Sequence, residues 1–415
     1  MPLAVVLGVH CTSSGGADSD RDGSRGDPPG GDGGGSGDAR GETCMSSCDA
    51  NACDASDGCR GTCTTGSCGS GLHCVSGVCT CDSTSCTGCC VGGVCHPGTQ
   101  RDTCGSGGGA CEVCGGLSVC SASRCTRVVL FGGHDGAGYL GDTWEWTGGS
   151  WVQRMVAGPP ARASRTVTFR RNVFLFGGED GVLRAFNDTW EWDGTRWTQR
   201  SPATSPSPRS DMAMSAVGDK VLLFGGQDAQ RSTYFDDTWQ WDGTNWASRP
   251  VTPPPARAGH NMATLGNKVI LFGGYSVTNY VTTYKTDTWE WDGSSWTKLS
   301  PVRSPPPRAG HAMTTFKNKI LLFGGGTGGA PFSDMWEWDG SNWTEVTQPD
   351  PPARSAIETF PVFGDYALFF GGSSANPATP YPHLWSWDGK IKFWREYTGR
   401  PQPAARAHGA LAVLP

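Results

Sequence analysis

Short apolar runs that end in paired glycines recur along the C-terminal two thirds of the chain. One of them reads Val-Ile-Leu-Phe-Gly-Gly at residues 269–274, and a second strand-like run, residues 260–265, precedes it across a tight polar turn. Apolar runs of about four to eight residues between turn residues are typical of buried β-strands. The Phe-Gly-Gly ending occurs six times, starting at Phe131, Phe176, Phe224, Phe272, Phe323 and Phe370.

Each glycine pair is followed by a segment in which tryptophans alternate with polar residues. The alternating tryptophans are Trp144/Trp146, Trp190/Trp192, Trp239/Trp241, Trp289/Trp291, Trp336/Trp338 and Trp385/Trp387. One further tryptophan closes each unit, at Trp151, Trp197, Trp246, Trp296, Trp343 and Trp394. Side chains two positions apart project to the same face of a strand, and Asp-Gly, as at Asp292–Gly293, favours a turn. We therefore predict four short strands per unit, which are residues 260–265 (a), 269–274 (b), 287–291 (c) and 296–300 (d) in the fourth unit.

The units repeat at intervals of 45, 48, 48, 51 and 47 residues, a period typical of propeller blades. Blades stack face to face, so the tryptophans are expected to fill the gap that widens between neighbours away from the axis. The first unit has no strand a, whereas residues 405–415 form a strand a with no strand b after it. We expect this last strand to complete the first blade, because a closed ring leaves no exposed sheet edges.

The repeated unit resembles the kelch repeat. The resemblance rests on Phe-Gly-Gly, the aromatic strand c, the strand-d tryptophan and the Arg-x-Gly-His start at Arg257–His260 and Arg308–His311, and it covers residues 126–415. It implies an all-β fold, a six-bladed kelch-type β-propeller closed by the C-terminal strand and preceded by a small disulfide-rich irregular segment. The predicted domains are a leader and linker (1–43), a cysteine-rich segment (44–125) and the propeller (126–415).

Candidate binding residues gather on one face of the predicted ring. Because strand direction alternates, the b–c and d–a loops share one face, here called the mouth face, and the short a–b and c–d turns share the other, the tight-turn face. The b–c loops are long and aromatic, and loops that vary over a constant scaffold often carry function. The candidates in them are Tyr139, Tyr275, Tyr280, Tyr284 and Tyr381.

Each d–a connection adds one arginine, which some kelch propellers use to hold acidic ligands through the guanidinium fork. These candidates are Arg162, Arg209, Arg257, Arg308, Arg354 and Arg406. The alternative is structural pairing with a neighbour's aspartate at the start of strand c, at Asp142, Asp188, Asp237, Asp287 and Asp334. His383 replaces the aspartate in blade 6, so we expect at least one arginine to lack this pairing. His260, His311 and His408 are expected to pack at strand-a starts rather than bind a ligand.

The distributions of charged residues and of cysteines both change near residue 125. Residues 1–125 hold 6 Arg, no Lys and 13 Asp+Glu, whereas residues 126–415 hold 27 Lys+Arg and 26 Asp+Glu. Neither part has the basic surface that nucleic acid requires, and no run approaches the ~20 apolar residues of a membrane span. All 19 cysteines precede residue 126.

Residues 44–125 carry 18 of the cysteines and almost no large apolar side chains. Such density is typical of a disulfide-held segment in an oxidising compartment. The alternative is zinc, since Cys86/Cys89 and Cys111/Cys114 are two C-x2-C pairs. We expect disulfides, because the cysteines far exceed the ligands of one zinc site.

The N-terminal 43 residues predict a leader and a flexible tether. The run Pro2–Val9 is followed by Cys11, a layout that resembles a bacterial lipoprotein signal with Cys11 as its lipidated residue. Residues 12–43 are rich in Gly, Ser and Asp and cannot bury a core. The stretch Asp18–Gly23 resembles the opening of a calcium loop, but Pro29 stands where the twelfth ligand belongs.

Together these features predict an exported, extracytoplasmic binding module of bacterial type, either secreted or anchored at the outer surface. Its expected ligand is a protein segment or a glycan, and it is expected to be a monomer without a cofactor. One alternative is a carbohydrate-active or oxidase-like propeller enzyme with its site in the loops. Copper oxidases that resemble this fold need a Cys–Tyr cross-link, and no cysteine follows Cys125. The other alternative is a purely structural surface protein.

Overall fold

The computed structural model describes two parts of the chain. In the cysteine-rich part it describes residues 73–75, 78–80, 86, 88–91, 94–97, 99–100, 103–106, 109–111, 113–114, 118 and 120–121, and beyond it residues 124–181, 184–347, 353–357, 359–374 and 379–415. The predictions for Cys11, for the linker and for Asp18–Gly23 lie outside the described residues. Within them, no helix is long and apolar enough to cross a membrane.

The cysteine-rich part contains short strands held by disulfides. The strands are β1 (His73–Val75), β2 (Val78–Thr80), β3 (Cys89–Val91), β4 (Val94–His96), β5 (Gly109–Ala110), β6 (Cys120–Ser121) and β7 (Arg124–Cys125). The described disulfides are Cys89–Cys111, Cys104–Cys120 and Cys114–Cys125. The first of them joins Cys89 of one C-x2-C pair to Cys111 of the other, so neither sulfur is a thiolate that could bind zinc. The prediction of a disulfide-held segment is confirmed.

The six repeats form six four-stranded antiparallel sheets, and every blade follows the a–d order predicted from the sequence. Blade 1 contains β8 (Arg127–Phe131), β9 (Thr143–Trp146) and β10 (Trp151–Arg154). Blade 2 contains β11 (Ala163–Phe169), β12 (Asn172–Glu179), β13 (Ala185–Trp192) and β14 (Trp197–Arg200). Blade 3 contains β15 (Ala213–Val217), β16 (Lys220–Phe224), β17 (Thr238–Trp241) and β18 (Trp246–Arg249).

The remaining blades repeat this plan, with one addition in blade 4. Blade 4 contains β19 (Asn261–Leu265), β20 (Lys268–Phe272), β23 (Thr288–Trp291) and β24 (Trp296–Leu299), and its b–c loop is a separate hairpin of β21 (Tyr275–Thr278) and β22 (Val281–Tyr284). Blade 5 contains β25 (Ala312–Phe316), β26 (Lys319–Phe323), β27 (Met335–Trp338) and β28 (Trp343–Val346). Blade 6 contains β29 (Val362–Phe363), β30 (Tyr366–Phe370), β31 (Leu384–Asp388) and β32 (Phe393–Tyr397).

The last strand, β33 (Ala410–Leu414), pairs with β8 and supplies strand a of blade 1. The sheet order β10-β9-β8-β33 closes the ring, as the strand count predicts. The all-β, six-bladed fold is therefore confirmed.

The hydrophobic core consists of layers between neighbouring blades. The second strand-c tryptophan and the strand-d tryptophan face each other across the ladder, as at Trp241 and Trp246, whose ring centroids are 5.6 Å apart. Both pack against Phe174 of the preceding blade. Large aromatic rings suit this position because adjacent sheets diverge away from the axis and leave a wide gap to fill.

The first position after the phenylalanine of each Phe-Gly-Gly must be glycine, because the backbone carbonyl of the next blade's arginine approaches it closely. At Gly273 the backbone has φ +70°, and a Cβ atom there would lie 2.7 Å from the carbonyl oxygen of Arg308. Any side chain would therefore combine backbone strain with a clash against main chain.

Reductant should leave the propeller transition unchanged, because no cysteine lies beyond Cys125. All 18 tryptophans lie in residues 126–415, so tryptophan fluorescence of the full-length protein reports the propeller alone. We expect the fluorescence melting temperature to shift by less than about 3 °C in excess dithiothreitol, while protease digestion of residues 44–125 accelerates. A large fall in the fluorescence melting temperature would contradict this independence.

Candidate functional site

The strand-c motif Asp-Thr-Trp-x-Trp, present in blades 1 to 4, fixes the mouth face of those blades. In blade 3, the Asp237 carboxylate accepts hydrogen bonds from Arg209 at 2.5 and 2.9 Å and from the indole of Trp239 at 2.7 Å. The hydroxyl of Thr238 accepts the indole N–H of Trp296 from the next blade at 2.9 Å. The first tryptophan thus orients the aspartate, and the threonine ties adjacent blades together.

The d–a arginines are buried inside the blades. Arg257 has no exposed surface, and its Nε donates to the Pro255 carbonyl at 2.9 Å. Its Nη1 donates to the Gly273 carbonyl at 3.0 Å, and the guanidinium makes a bidentate pair with Asp287 at 2.6 and 2.8 Å. The same set of contacts recurs at Arg162, Arg209, Arg308 and Arg406.

This geometry accounts for five of the six arginines by structural pairing, and none of the six lines the cavity described below. In each pair the aspartate is the strand-c aspartate of the blade that the arginine leads into, as the structural alternative from the sequence has it. Arg354 differs because His383 replaces the aspartate. Its guanidinium lies 4.3 Å from the ring centre of Tyr381 and donates to the Gly371 carbonyl at 2.9 Å, and burial lowers its pKa to about 10.

The mouth face contains a cavity of about 840 Å³. One wall comes from blades 2 to 4 and carries Arg165, Asp211, Arg231, Tyr275 and Tyr284. The facing wall comes from blades 5 and 6 and is built of small residues. These are Ala309, Gly310, Gly326, Gly328, Gly329, Ala330, Ser355, Ala356, Ser373 and Ser374. A concave site with a few convergent polar groups is the usual form of a binding site.

A polar network holds the charged wall. Glu179 pairs with Arg231 at 3.2 Å and accepts hydrogen bonds from Ser210 at 3.0 Å and from the Tyr139 hydroxyl at 3.5 Å. Burial and the nearby charge of Glu179 raise the pKa of Tyr139 to about 12, so this hydroxyl stays protonated as a donor at neutral pH.

A second branch of the network fixes Tyr275. Its hydroxyl donates to the side chain of Gln227 at 3.1 Å, and Gln227 donates in turn to Asp211 at 2.7 Å. Burial and the charge of Asp211 raise the pKa of Tyr275. Tyr275 also contacts Tyr234 and Tyr284, at centroid distances of 5.8 and 6.0 Å. The three rings form a continuous aromatic wall.

The five predicted tyrosines do not form one cluster. Tyr275 and Tyr284 line the cavity, and Tyr139 joins its network through Glu179. Tyr280 is fully exposed at the tip of the blade-4 hairpin, and Tyr381 covers Arg354. Their role in binding stays a prediction.

Sequence reasoning missed Arg165, Glu179, Asp211, Gln227 and Arg231. One signal was available, because Asp211 stands two residues after Arg209, where blades 4 and 5 have glycine after their arginines. Asp211 has φ +52° and His408 has φ +54°. Non-glycine residues in the left-handed region often mark functional sites.

His260 and His311 are fully buried, as expected for packing residues. Burial and the nearby charges of Arg257 and Arg308, respectively, lower both pKa values well below the usual range. His260 lies 3.1 Å from the Phe224 carbonyl. His408, in contrast, lines the cavity.

Stability should therefore fall as the pH drops below about 6.5, the ordinary histidine pKa. Below it the unfolded chain binds protons that the buried neutral imidazoles do not, so each histidine costs roughly 2 kcal/mol at pH 5. Denaturant titrations at pH 7.5 and pH 5 measure the loss, and His311→Gln should remove about half of it. A pH dependence that His311→Gln leaves unchanged would contradict the neutral, buried state of this residue.

Tyr280 occupies a turn position that favours glycine. Asn279 and Tyr280 have φ +50° and +63°, as in a type I′ turn, where Asn-Gly is preferred. We expect Tyr280→Gly to raise the unfolding free energy by about 1 kcal/mol, measured by denaturant titration. Tyr280→Ala keeps the strained backbone without the ring and should gain nothing. Destabilisation by Tyr280→Gly would show that the exposed ring supports the fold.

The described residues contain one close group of metal-ligand type. The sulfurs of Cys104, Cys114 and Cys125 lie within 4.8 Å of one another. All three are engaged in disulfides, to Cys120 or to each other, so none of them offers a thiolate.

Comparison with known families identifies a kelch-repeat domain. The model of the KLHDC2/KLHL20/DRC7 Kelch-repeats domain matches residues 145–291 and 244–414. No curated protein sequence matches the chain. The two matched ranges overlap and together cover strand c of blade 1 to the closing strand β33.

Proposed function

Because the chain belongs to the kelch-repeat family of β-propellers, we propose that it is a protein-interaction module that takes its partner at the mouth face. The observation that carries the proposal is the cavity of about 840 Å³ on this face. It is lined by loops of several blades, and its polar wall is held in place before any partner arrives.

The chemistry of the two walls supports a polypeptide partner. The Tyr234–Tyr275–Tyr284 wall offers rigid aromatic surface at low conformational cost, which is typical of binding surfaces. The facing wall of glycine, alanine and serine lets a backbone approach closely. Arg231 has a side chain that is 61% exposed, so it can reach polar groups of the partner at the rim.

A glycan is the second candidate ligand of the same cavity. Aromatic rings next to amide, carboxylate and guanidinium groups suit the faces and hydroxyls of a sugar. Tyr275 with Gln227 and Asp211 is the arrangement that favours this reading.

We further propose that the protein works outside the cytoplasm, secreted or anchored at the outer surface with Cys11 as the lipidated residue. The described disulfides support this, because such bonds persist in oxidising compartments. Strand b of blade 1 begins on the tight-turn face, and Arg124 there lies 3.5 Å from the carbonyl of Asp193 in a c–d turn. The described end of the cysteine-rich segment, at Arg124, therefore lies on the face opposite the mouth.

Arrays of peptides and of glycans, probed with the full-length protein, test the function. Ala330→Trp adds an indole to an exposed position of the cavity wall, and Thr244→Trp adds the same group to an exposed c–d turn on the tight-turn face. We expect peptide binding that Ala330→Trp removes and Thr244→Trp preserves. Binding only to glycans supports the second candidate, and binding sensitive only to Thr244→Trp overturns the assignment of the mouth face.

A further inference from the structure

The b–c loop of blade 4 is a β-hairpin that forms one side of the mouth cavity. In its register Thr278 faces Val281, and Val277 faces Thr282. The turn between the strands has two residues, Asn279 and Tyr280. Thr282 and Tyr284, both on β22, line the cavity.

The register determines which backbone groups point away from the hairpin. In a hairpin with a two-residue turn, Thr278 and Val281 exchange hydrogen bonds, and the pairs alternate from there. The backbone groups of Tyr275 and Tyr284 therefore point outward, as do those of Val277 and Thr282. On β21 this is verified, because the backbones of Tyr275 and Ala258 exchange hydrogen bonds at 2.8 and 2.9 Å.

On β22 the corresponding edge is open. Neither Thr282 nor Tyr284 has a backbone hydrogen-bond partner beyond the hairpin among the described residues. Native edges are usually protected by lysine, proline or a bulge. β22 reads Val-Thr-Thr-Tyr and has none of these, and Val281 is 64% exposed.

β22 borders the mouth cavity of about 840 Å³, and its neighbour across that cavity is glycine-rich. Gly328 of the facing wall has φ +83°, and a Cβ atom there would lie 3.0 Å from the Tyr284 hydroxyl. The part of the small-residue wall that comes from the b–c loop of blade 5 carries no charge and consists of Gly326, Gly328, Gly329 and Ala330. A charged side chain placed there would lose water without gaining a counter-charge.

We propose that the open edge of β22 binds one extended, uncharged segment of a partner protein as an added β-strand. The backbone groups of Thr282 and Tyr284 pair with the segment, and Tyr280 flanks it from the hairpin tip. This inference rests on the proposed function, because it names the partner chemistry of the same mouth. Pairing to a free sheet edge is an established mode of peptide recognition.

The test begins with a displayed library of random peptides selected on the full-length protein. Enriched peptides should be poor in Lys, Arg, Asp and Glu. Synthetic versions carrying one N-methyl group should show a period of two, because every second N–H of an added strand faces the hairpin. We expect a loss of about tenfold or more at paired positions, which corresponds to the loss of one or two hydrogen bonds.

Thr282→Pro tests the same contact from the protein side. It removes an outward N–H that the hairpin does not use, and proline is tolerated at such edge positions. Affinity should fall about tenfold with an unchanged melting temperature, whereas the matched Thr282→Ala variant keeps the N–H and should lose clearly less affinity than Thr282→Pro. If the proline variant fails to fold, the period of two in the N-methyl series still tests whether the peptide binds as an added strand.

The outcomes separate this inference from the proposed function. Suppose that Ala330→Trp blocks a peptide, but that its N-methyl series shows no period of two and the Thr282→Pro variant binds it normally. Strand addition is then wrong, and the mouth-face function stands. If the protein forms concentration-dependent dimers and the Thr282→Pro variant does not, a second copy of the chain occupies the edge and strand addition by a partner is wrong. A library with no enriched peptide overturns both proposals.

Discussion

Deleting residues 407–415 should abolish the cooperative unfolding transition of the propeller. The deletion removes β33, which pairs with β8 at five positions. Leu411 packs in the layer shared with blade 6, and Leu414 packs in the layer shared with blade 2. Burial of each leucine contributes about 1.5–3 kcal/mol, and the ladder hydrogen bonds add to this. The total approaches the whole stability of an ordinary domain, so tryptophan fluorescence under denaturant should show no defined midpoint.

Removal of Pro415 alone is the control, and it should change the midpoint little, because trimming a terminus outside a sheet is usually tolerated. Leu411→Asp places a charge in the same layer without shortening the chain, and it should reproduce most of the loss. A truncated protein with the midpoint of the parent would show that the ring does not depend on its closing strand.

The fold could be predicted from the sequence because the sequence features of a blade recur in six repeats. The Phe-Gly-Gly interval gave the blade period, and the unmatched strand at the chain end gave the closure. Strand bounds agree within about two residues, as for residues 260–265 against Asn261–Leu265 and residues 269–274 against Lys268–Phe272. Repetition averages out the local ambiguity that limits single segments.

The candidate site could not be predicted in the same way, because it depends on where the repeat is broken. Asp211 stands where blades 4 and 5 have glycine, and Arg231 and Gln227 come from one loop of variable length. Only the three-dimensional ring brings Glu179 of blade 2 to Arg231 of blade 3. The d–a arginines are the opposite case: the structural alternative could be read from the sequence, and five of the six pair with an aspartate of their blade.

Arg308→Met should lower the unfolding free energy by about 3–5 kcal/mol, the usual result of removing one partner from a buried ion pair. The Arg308 side chain is fully buried, whereas that of Asp334 is 20% exposed. Methionine fills much of the space but donates no hydrogen bond, so Asp334 and the Gly324 carbonyl lose the contacts that Arg308 makes at 2.6–2.9 Å. Denaturant titration followed by tryptophan fluorescence measures the change.

Two further variants show whether the lost pair is the cause. Arg303→Met makes the same substitution at an exposed arginine and should stay within about 0.5 kcal/mol of the parent. Adding Asp334→Asn to Arg308→Met removes the unpaired charge but keeps an oxygen that can accept from Trp336, so part of the stability should return. An Arg308→Met protein that keeps its stability but loses partner binding would contradict the structural role and return this arginine to the recognition surface.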